Sequence, residues 1–158
     1  MLSRLVAGDV RFVVIGGVAA NLLGSARLTN DLDICYQSTP ENLERLVATL
    51  NGWHAYLRGV EPGLPWVLDA RTLRTTPILT LVTDEGWIDV IDRVAGVGGY
   101  EKVLAASLPA EWEELRFRTL GLDGLIAAKR ATGRRKDHEA LLELLALREE
   151  RRRRDQGD

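Results

Sequence analysis

Cysteine is nearly missing from this chain. Cys35 stands alone among 158 residues, which excludes an internal disulfide and fits a reducing compartment. Its place in an apolar run marks it as a buried structural thiol rather than a nucleophile. An excess of one charge is missing too: 21 lysines and arginines meet 23 aspartates and glutamates, a formal charge of −2. That balance argues against a protein built around a broad nucleic-acid footprint, while leaving room for a local basic groove. No stretch approaches the roughly 18 uninterrupted apolar residues of a membrane span. Met1 to Val10 carries Arg4 and Asp9 and neither a long apolar run nor a small-residue cleavage site. The expected location is therefore cytoplasmic, with no membrane partner. There is no internal repeat. Of the two histidines, His54 lies far from the motifs below and His138 has no visible partner in the sequence. The four tryptophans are not spaced as a stacking platform.

What is present suits one domain with a single core, since 46% of the residues are hydrophobic. Arg11 to Ile15 reads as a buried strand ending at Gly16-Gly17, followed by a short helix over Val18 to Leu23 closed by Gly24. Asp31 to Tyr36 is a second strand. Thr39-Pro40 starts a helix that runs to about Leu50 and stops at Asn51-Gly52. His54 to Leu57 is a brief edge strand, and Arg58 to Thr76, broken by prolines and glycine, is expected to be a loop. Ile78 to Val82 and Trp87 to Ile91 flank Thr83-Asp84-Glu85-Gly86 as a hairpin. Gly98 to Ser107 reads as a helix and Leu115 to Leu120 as a last strand. Helices over Leu122 to Ala131 and Asp137 to Glu149 follow, with Leu141, Leu142, Leu144 and Leu145 assigned to the core. The expected organisation is a core over residues 1–120, two helices over 121–150 and a frayed charged tail over 151–158. The fold class is α+β, a small mixed sheet flanked by helices with a C-terminal helical pair. Too few βαβ units are visible for a doubly wound parallel sheet.

Chemistry enters at Asp31-Leu32-Asp33. Side chains alternate along a strand, so the two carboxylates share one face and Leu32 and Ile34 the other. Carboxylates so placed repel one another unless a cation stands between them, and hard oxygen donors suit Mg²⁺. Asp89, an acid between Ile88 and Val90, is the third candidate, because an unpaired buried carboxylate is costly. Asp92 faces the other way and ranks lower. An isolated DxD is weak; a third strand-borne acid, a glycine turn and a basic segment strengthen it.

Gly16-Gly17 sits between a strand and a helix, where the backbone approaches a ligand closely or takes a positive φ. Free N–H groups there could receive phosphate oxygens. The pair matches neither the P-loop nor the GxGxxG pattern. Arg27 and Thr29 alternate with Asp31 and Asp33, so an extended chain puts all four on one side. There they bind phosphate or order the acids, with a plain salt bridge from Arg27 to an aspartate an equal alternative.

The stretch VVIGGVAANLLGSARLTNDLDI resembles the active-site opening of the DNA polymerase β-like nucleotidyltransferase superfamily, and WIDVI resembles its separate strand carrying a third acid. DGLIAAKRATGRRKDHEAL resembles the corresponding segment of the abortive-infection (AbiEii/MenT-type) nucleotidyltransferase toxins. The resemblance implies a polymerase β palm-like fold and transfer of a nucleoside monophosphate from an NTP to an acceptor hydroxyl, with release of pyrophosphate. It implies Asp31, Asp33 and Asp89 as catalytic and metal-holding residues, with two Mg²⁺ ions, or Mn²⁺ in their place. Gly16, Gly17, Arg27, Thr29, Lys129, Arg134, Lys136 and Asp137 would serve the nucleotide. Gly17 departs from the serine many members carry after the first glycine.

Lys129, Arg130, Arg134, Arg135 and Lys136 crowd around Gly133 between two helices. They read either as a solvated turn favoured by the helix dipole or as cations that neutralise pyrophosphate. Asp137 reads as an N-cap or as a supporting site residue. The toxin branch implies a tRNA end or another macromolecule as acceptor and a cognate antitoxin protein as partner. Transfer to an antibiotic-like small molecule is the rival within enzymes. A non-catalytic nucleotide-binding or regulatory subunit is the rival from another class.

Overall fold

Strand-forming residues after Arg11 make β1 (Phe12–Ile15), buried along its whole length. Gly16 then turns the chain directly into α2 (Gly16–Leu22), preceded in the chain by α1 (Leu2–Ala7). After an irregular polar stretch, β2 (Asp31–Tyr36) pairs antiparallel with β1, Ile15 opposite Asp33. α3 (Pro40–Asn51) is capped by the Thr39 side chain and turns Leu43, Leu46 and Leu50 into the core. The remaining elements are β3 (Tyr56–Leu57), α4 (Ala70–Thr75), β4 (Ile78–Thr83), β5 (Gly86–Ile91), β6 (Arg93–Val94), β7 (Gly98–Gly99), α5 (Tyr100–Ala105), β8 (Ser107–Trp112), β9 (Leu115–Leu120), α6 (Leu122–Thr132) and α7 (His138–Gly157). This computed structural model describes residues 1–61, 63–133 and 137–157.

Among the described residues, seven strands form one mixed sheet in the order β3-β4-β5-β2-β1-β9-β8, and β6 and β7 make a separate ribbon. Pairing is parallel for β2 with β5 and for β1 with β9, and antiparallel elsewhere. The mixed α+β architecture expected from the sequence is the one observed. Residues directly opposite one another share a face. Leu32, Ile34, Leu79, Leu81, Ile88 and Val90 make one face of the central strands and are all buried. The opposite face of the same strands carries Asp31, Asp33, Thr80 and Asp89. A continuous apolar face thus holds strands whose other side is free for polar chemistry.

Several local expectations are corrected. Segment 58–76 is not all loop: Asp69 accepts from Thr72 N at 2.7 Å and caps α4, and the Tyr36 hydroxyl donates to Leu73 O at 3.0 Å. The expected helix over Gly98 to Ser107 shrinks to α5, because Gly98 (φ +127°) and Gly99 pair with β6 and Ser107 starts β8. β8 carries Pro109 and Glu111, a pattern tolerated because it is the sheet's edge. α1 was not expected at all. Leu5 anchors it in the core, and the N-terminal amine and Arg4 both pair with Glu85, at 2.7 and 2.9 Å. The tail is not frayed: α7 continues to Gly157, and Arg151 Nη2 donates to Leu23 O at 2.9 Å, tying it to the end of α2. Leu144 is core, but Leu142 is 55% exposed, since α7 buries only a narrow stripe. Cys35 is fully buried and burial pushes its thiol up to about 12, as a structural role requires. His54 pairs with Asp84 on the surface, away from the acids.

Candidate active site

The register of β2 on β5 sets Asp33 directly beside Asp89, with Asp31 two residues before Asp33 on the same face. Each of the three offers a carboxylate oxygen, and these atoms lie within 4.8 Å of one another. At such separations two like charges cost about 3 kcal/mol per pair in a partly buried setting. Asp33 bears the consequence. Burial first, then the charges of Asp31 and Asp89, raise its pKa from 3.8 to about 7, against a Gly17 N–H bond and Lys129, which pull it down.

Arg58, just past the end of β3, answers part of that charge. Its Nη2 donates to Asp89 Oδ1 and Oδ2 at 3.0 and 3.3 Å, and its Nη1 stands 3.6 Å from Asp31 Oδ2. The sequence had hidden this residue inside a presumed loop. The sequence signal was weak: Arg58 is one of three arginines, with Arg71 and Arg74, in the segment before the acid-bearing hairpin.

Gly16 has φ +65° and its backbone lies so close to Asp33 that any Cβ would fall on the carboxylate. At Gly17 a Cβ would lie 2.6 Å from Thr29 Oγ1 and 2.8 Å from Thr29 Cβ, so Thr29 fills the space a side chain at 17 would take. The Thr29 hydroxyl in turn donates to Asp31 Oδ1 at 3.1 Å, which orders that acid. Lys129 Nζ is 2.7 Å from Asp137 Oδ1, and Thr132 donates to Asp137 Oδ2 at 3.2 Å. Asp137 is thus held by α6 rather than acting simply as a cap. Arg27 pairs with Glu139 of α7 at 3.4 Å, not with an aspartate. Arg134 and Lys136 lie outside the described residues.

A cavity of about 560 Å³ collects these groups: Gly16, Gly17, Arg27, Thr29, the three acids, Arg58, Lys129 and Asp137 all line it. A second, more apolar cavity of about 620 Å³ shares Asn21, Thr29 and Asp31 with the first and extends to Val18, Trp112 and Leu115. Asp31 therefore stands where a polar cleft and an apolar one meet.

Residues 1–155 match the model of a family described as "Nucleotidyl transferase of unknown function (DUF2204)". The chain belongs to this nucleotidyl transferase family. Its fold is also that of a crystal structure of a "putative nucleotidyltransferase" from Thermotoga maritima, with a TM-score of 0.55. The two are 17% identical, over 92% of this chain and 88% of that one. No curated protein matches the chain.

For a nucleotidyl transferase the acid cluster has a ready reading. Three convergent carboxylates form an all-oxygen donor set that could hold a divalent cation. Two observations fit that role. Asp33 is driven toward its neutral form by burial and then by the charges of Asp31 and Asp89, and Arg58 already places positive charge against the other two acids. Among the described residues no other group of acids, histidines or cysteines converges in this way. Asp92, the lower-ranked acid, is not part of it.

Proposed function

We propose that this nucleotidyl transferase moves a nucleoside monophosphate from an NTP to an acceptor hydroxyl and releases pyrophosphate in a Mg²⁺-dependent reaction. The observation that carries the reading is the convergence of Asp31, Asp33 and Asp89 beside the Gly16-Gly17 turn and Lys129 in one cavity. Asp31, Asp33 and Asp89 would hold Mg²⁺, or Mn²⁺ in its place. When bound, the ion supplies charge neutralisation at the phosphates and acidifies the acceptor hydroxyl. The acceptor oxygen attacks the α-phosphorus in line, the bond to the bridging oxygen breaks, and pyrophosphate leaves. Asp89 takes the acceptor's proton. Gly16 and Gly17, without side chains, leave room for Asp33 and Thr29 to pack against their backbone, which lines the cavity proposed for the triphosphate. Lys129 puts an ammonium in the cavity to offset charge on the leaving pyrophosphate, and Thr29 keeps Asp31 oriented.

The acceptor proposed first is RNA, a tRNA end in particular, with the toxin-type role and an antitoxin partner that go with that branch. Exposed Arg152, Arg153 and Arg154 on α7 support a polyanionic acceptor. Incubation with Mg²⁺, labelled NTPs and total RNA tests it; transfer to no RNA with any of the four nucleotides would refute the RNA acceptor. The apolar cavity at Trp112 and Leu115 favours a second reading, transfer to a small hydroxylated molecule. Product mass spectrometry with aminoglycosides and lincosamides separates the two. A non-catalytic subunit is disfavoured by the complete acid triad. It would be adopted if calorimetry found no Mg²⁺-dependent nucleotide binding and Asp31→Ala changed nothing.

A further inference from the structure

Arg58 has no part in the chemistry just described, yet it pairs with two of the three acids, Asp89 and Asp31. Its backbone is fixed by Arg58 N donating to Thr80 O at 3.0 Å, and Thr80 stands opposite Asp89 in the register of β4 on β5. Its guanidinium reaches both oxygens of Asp89, leans on Asp31 and lies over the Trp87 ring, with Cζ 5.3 Å from the centroid. The side chain is 28% exposed, so these contacts are only partly screened by water. The next residue, Gly59, has φ +81°, and 60–61 and 63–69 form no helix or strand. The guanidinium is therefore carried at the border between the sheet and irregular chain.

A divalent cation bound by all three acids must share the Asp89 and Asp31 carboxylates with Arg58 or displace it. Two cations cannot share them at these distances without strong repulsion. We infer that Arg58 is a built-in counter-cation, holding Asp31 and Asp89 in the metal-free protein and giving them up in exchange for the divalent ion. This rests on the reading of the three acids as the metal site. The exchange has a direction. A bare ion must displace a two-pronged contact without compensation. An ion arriving with a triphosphate brings anionic oxygens into a cavity that Arg58 itself lines, so the displaced guanidinium gains new acceptors there. Arg58 thus makes tight metal binding conditional on the nucleotide.

The test is titration of Mn²⁺, followed by electron paramagnetic resonance, into the wild-type chain, Arg58→Gln and Arg58→Lys, each with and without a non-hydrolysable NTP. Without nucleotide, Arg58→Gln is expected to bind Mn²⁺ at least about tenfold more tightly than wild type, with Arg58→Lys between them. The nucleotide is expected to tighten Mn²⁺ binding more in wild type than in Arg58→Gln. Thermal melts give a second readout. Arg58→Gln should melt lower than wild type in EDTA and gain more from added Mg²⁺. If Mn²⁺ binds wild type and both variants equally, or the variants more weakly, the exchange is refuted while the metal site stands. If no protein binds Mn²⁺, with or without nucleotide, both readings fall.

Discussion

Asp33→Asn is expected to make the metal-free protein more stable while abolishing nucleotidyl transfer. The magnitude follows from the burial of Asp33 and the crowding of acids around it. In the folded chain Asp33 titrates near 7, and in the unfolded chain near 3.8. Between those values the folded protein holds a proton that the unfolded chain has lost, so stability falls as pH rises through the window and reaches its low plateau above about 7. The gap of about three units corresponds to roughly 4 kcal/mol, at about 1.4 kcal/mol per unit, as an upper bound. Asparagine keeps the shape and can still accept the Gly17 N–H, but carries no charge at any pH. At pH 8 in EDTA the variant should therefore gain about 2–4 kcal/mol, which for a chain this size is about 4–16 °C in melting temperature. The gain should shrink toward zero as pH falls to about 4. Calorimetric melts at pH 8, 6 and 4.5 decide it. A variant that melts at or below wild type at pH 8, or whose gain is the same at every pH, would refute the account of Asp33 as a charge held against its neighbours.

Three further outcomes are expected. Apparent Mn²⁺ affinity of the wild-type chain should fall by up to about tenfold per pH unit below about 7, because the ion must displace the proton held by Asp33, and should level off above it; isothermal titration across pH 5.5–8.5 checks this. Gly16→Ala should cost about 1–3 kcal/mol in denaturant melts and weaken metal binding at least tenfold, since a Cβ there strains a left-handed backbone and pushes into Asp33. Lys129→Met removes an ammonium from Asp137, which keeps its bond from Thr132, and should destabilise the protein by about 1–2 kcal/mol and weaken nucleotide binding; Lys129→Arg should recover most of the stability.

Where the sequence was read correctly, the signal was local. The alternation of acids and aliphatics in Asp31 to Ile34 and around Asp89 is itself the statement of which face is wet, so β2, β5 and the hairpin turn were legible. Thr39-Pro40 is a helix start by its own hydrogen bonding, and α3 begins there. Where the reading failed, the deciding contact was distant in sequence. α1 is held by Glu85, 81 residues on from Arg4; β8 is the exception, a hairpin arm two residues before β9 whose Pro109 and Glu111 mask the strand pattern. α7 reaches Gly157 in company with a bond from Arg151 to a carbonyl 128 residues earlier.

The site divides in the same way. Residue type and spacing alone determined that Asp31 and Asp33 would point together and that Gly16-Gly17 would permit a close approach, because both follow from backbone periodicity and the lack of a Cβ. Only the tertiary structure decided that Asp89 would stand beside Asp33, because a parallel register between β2 and β5 is a property of the whole sheet. It also decided that Thr29 would fill the space beside Gly17, that Lys129 would hold Asp137, and that Arg58 would lie among the acids. Charge pattern along a chain carries no distance across it; packing supplies that distance, and with it the cation each carboxylate meets.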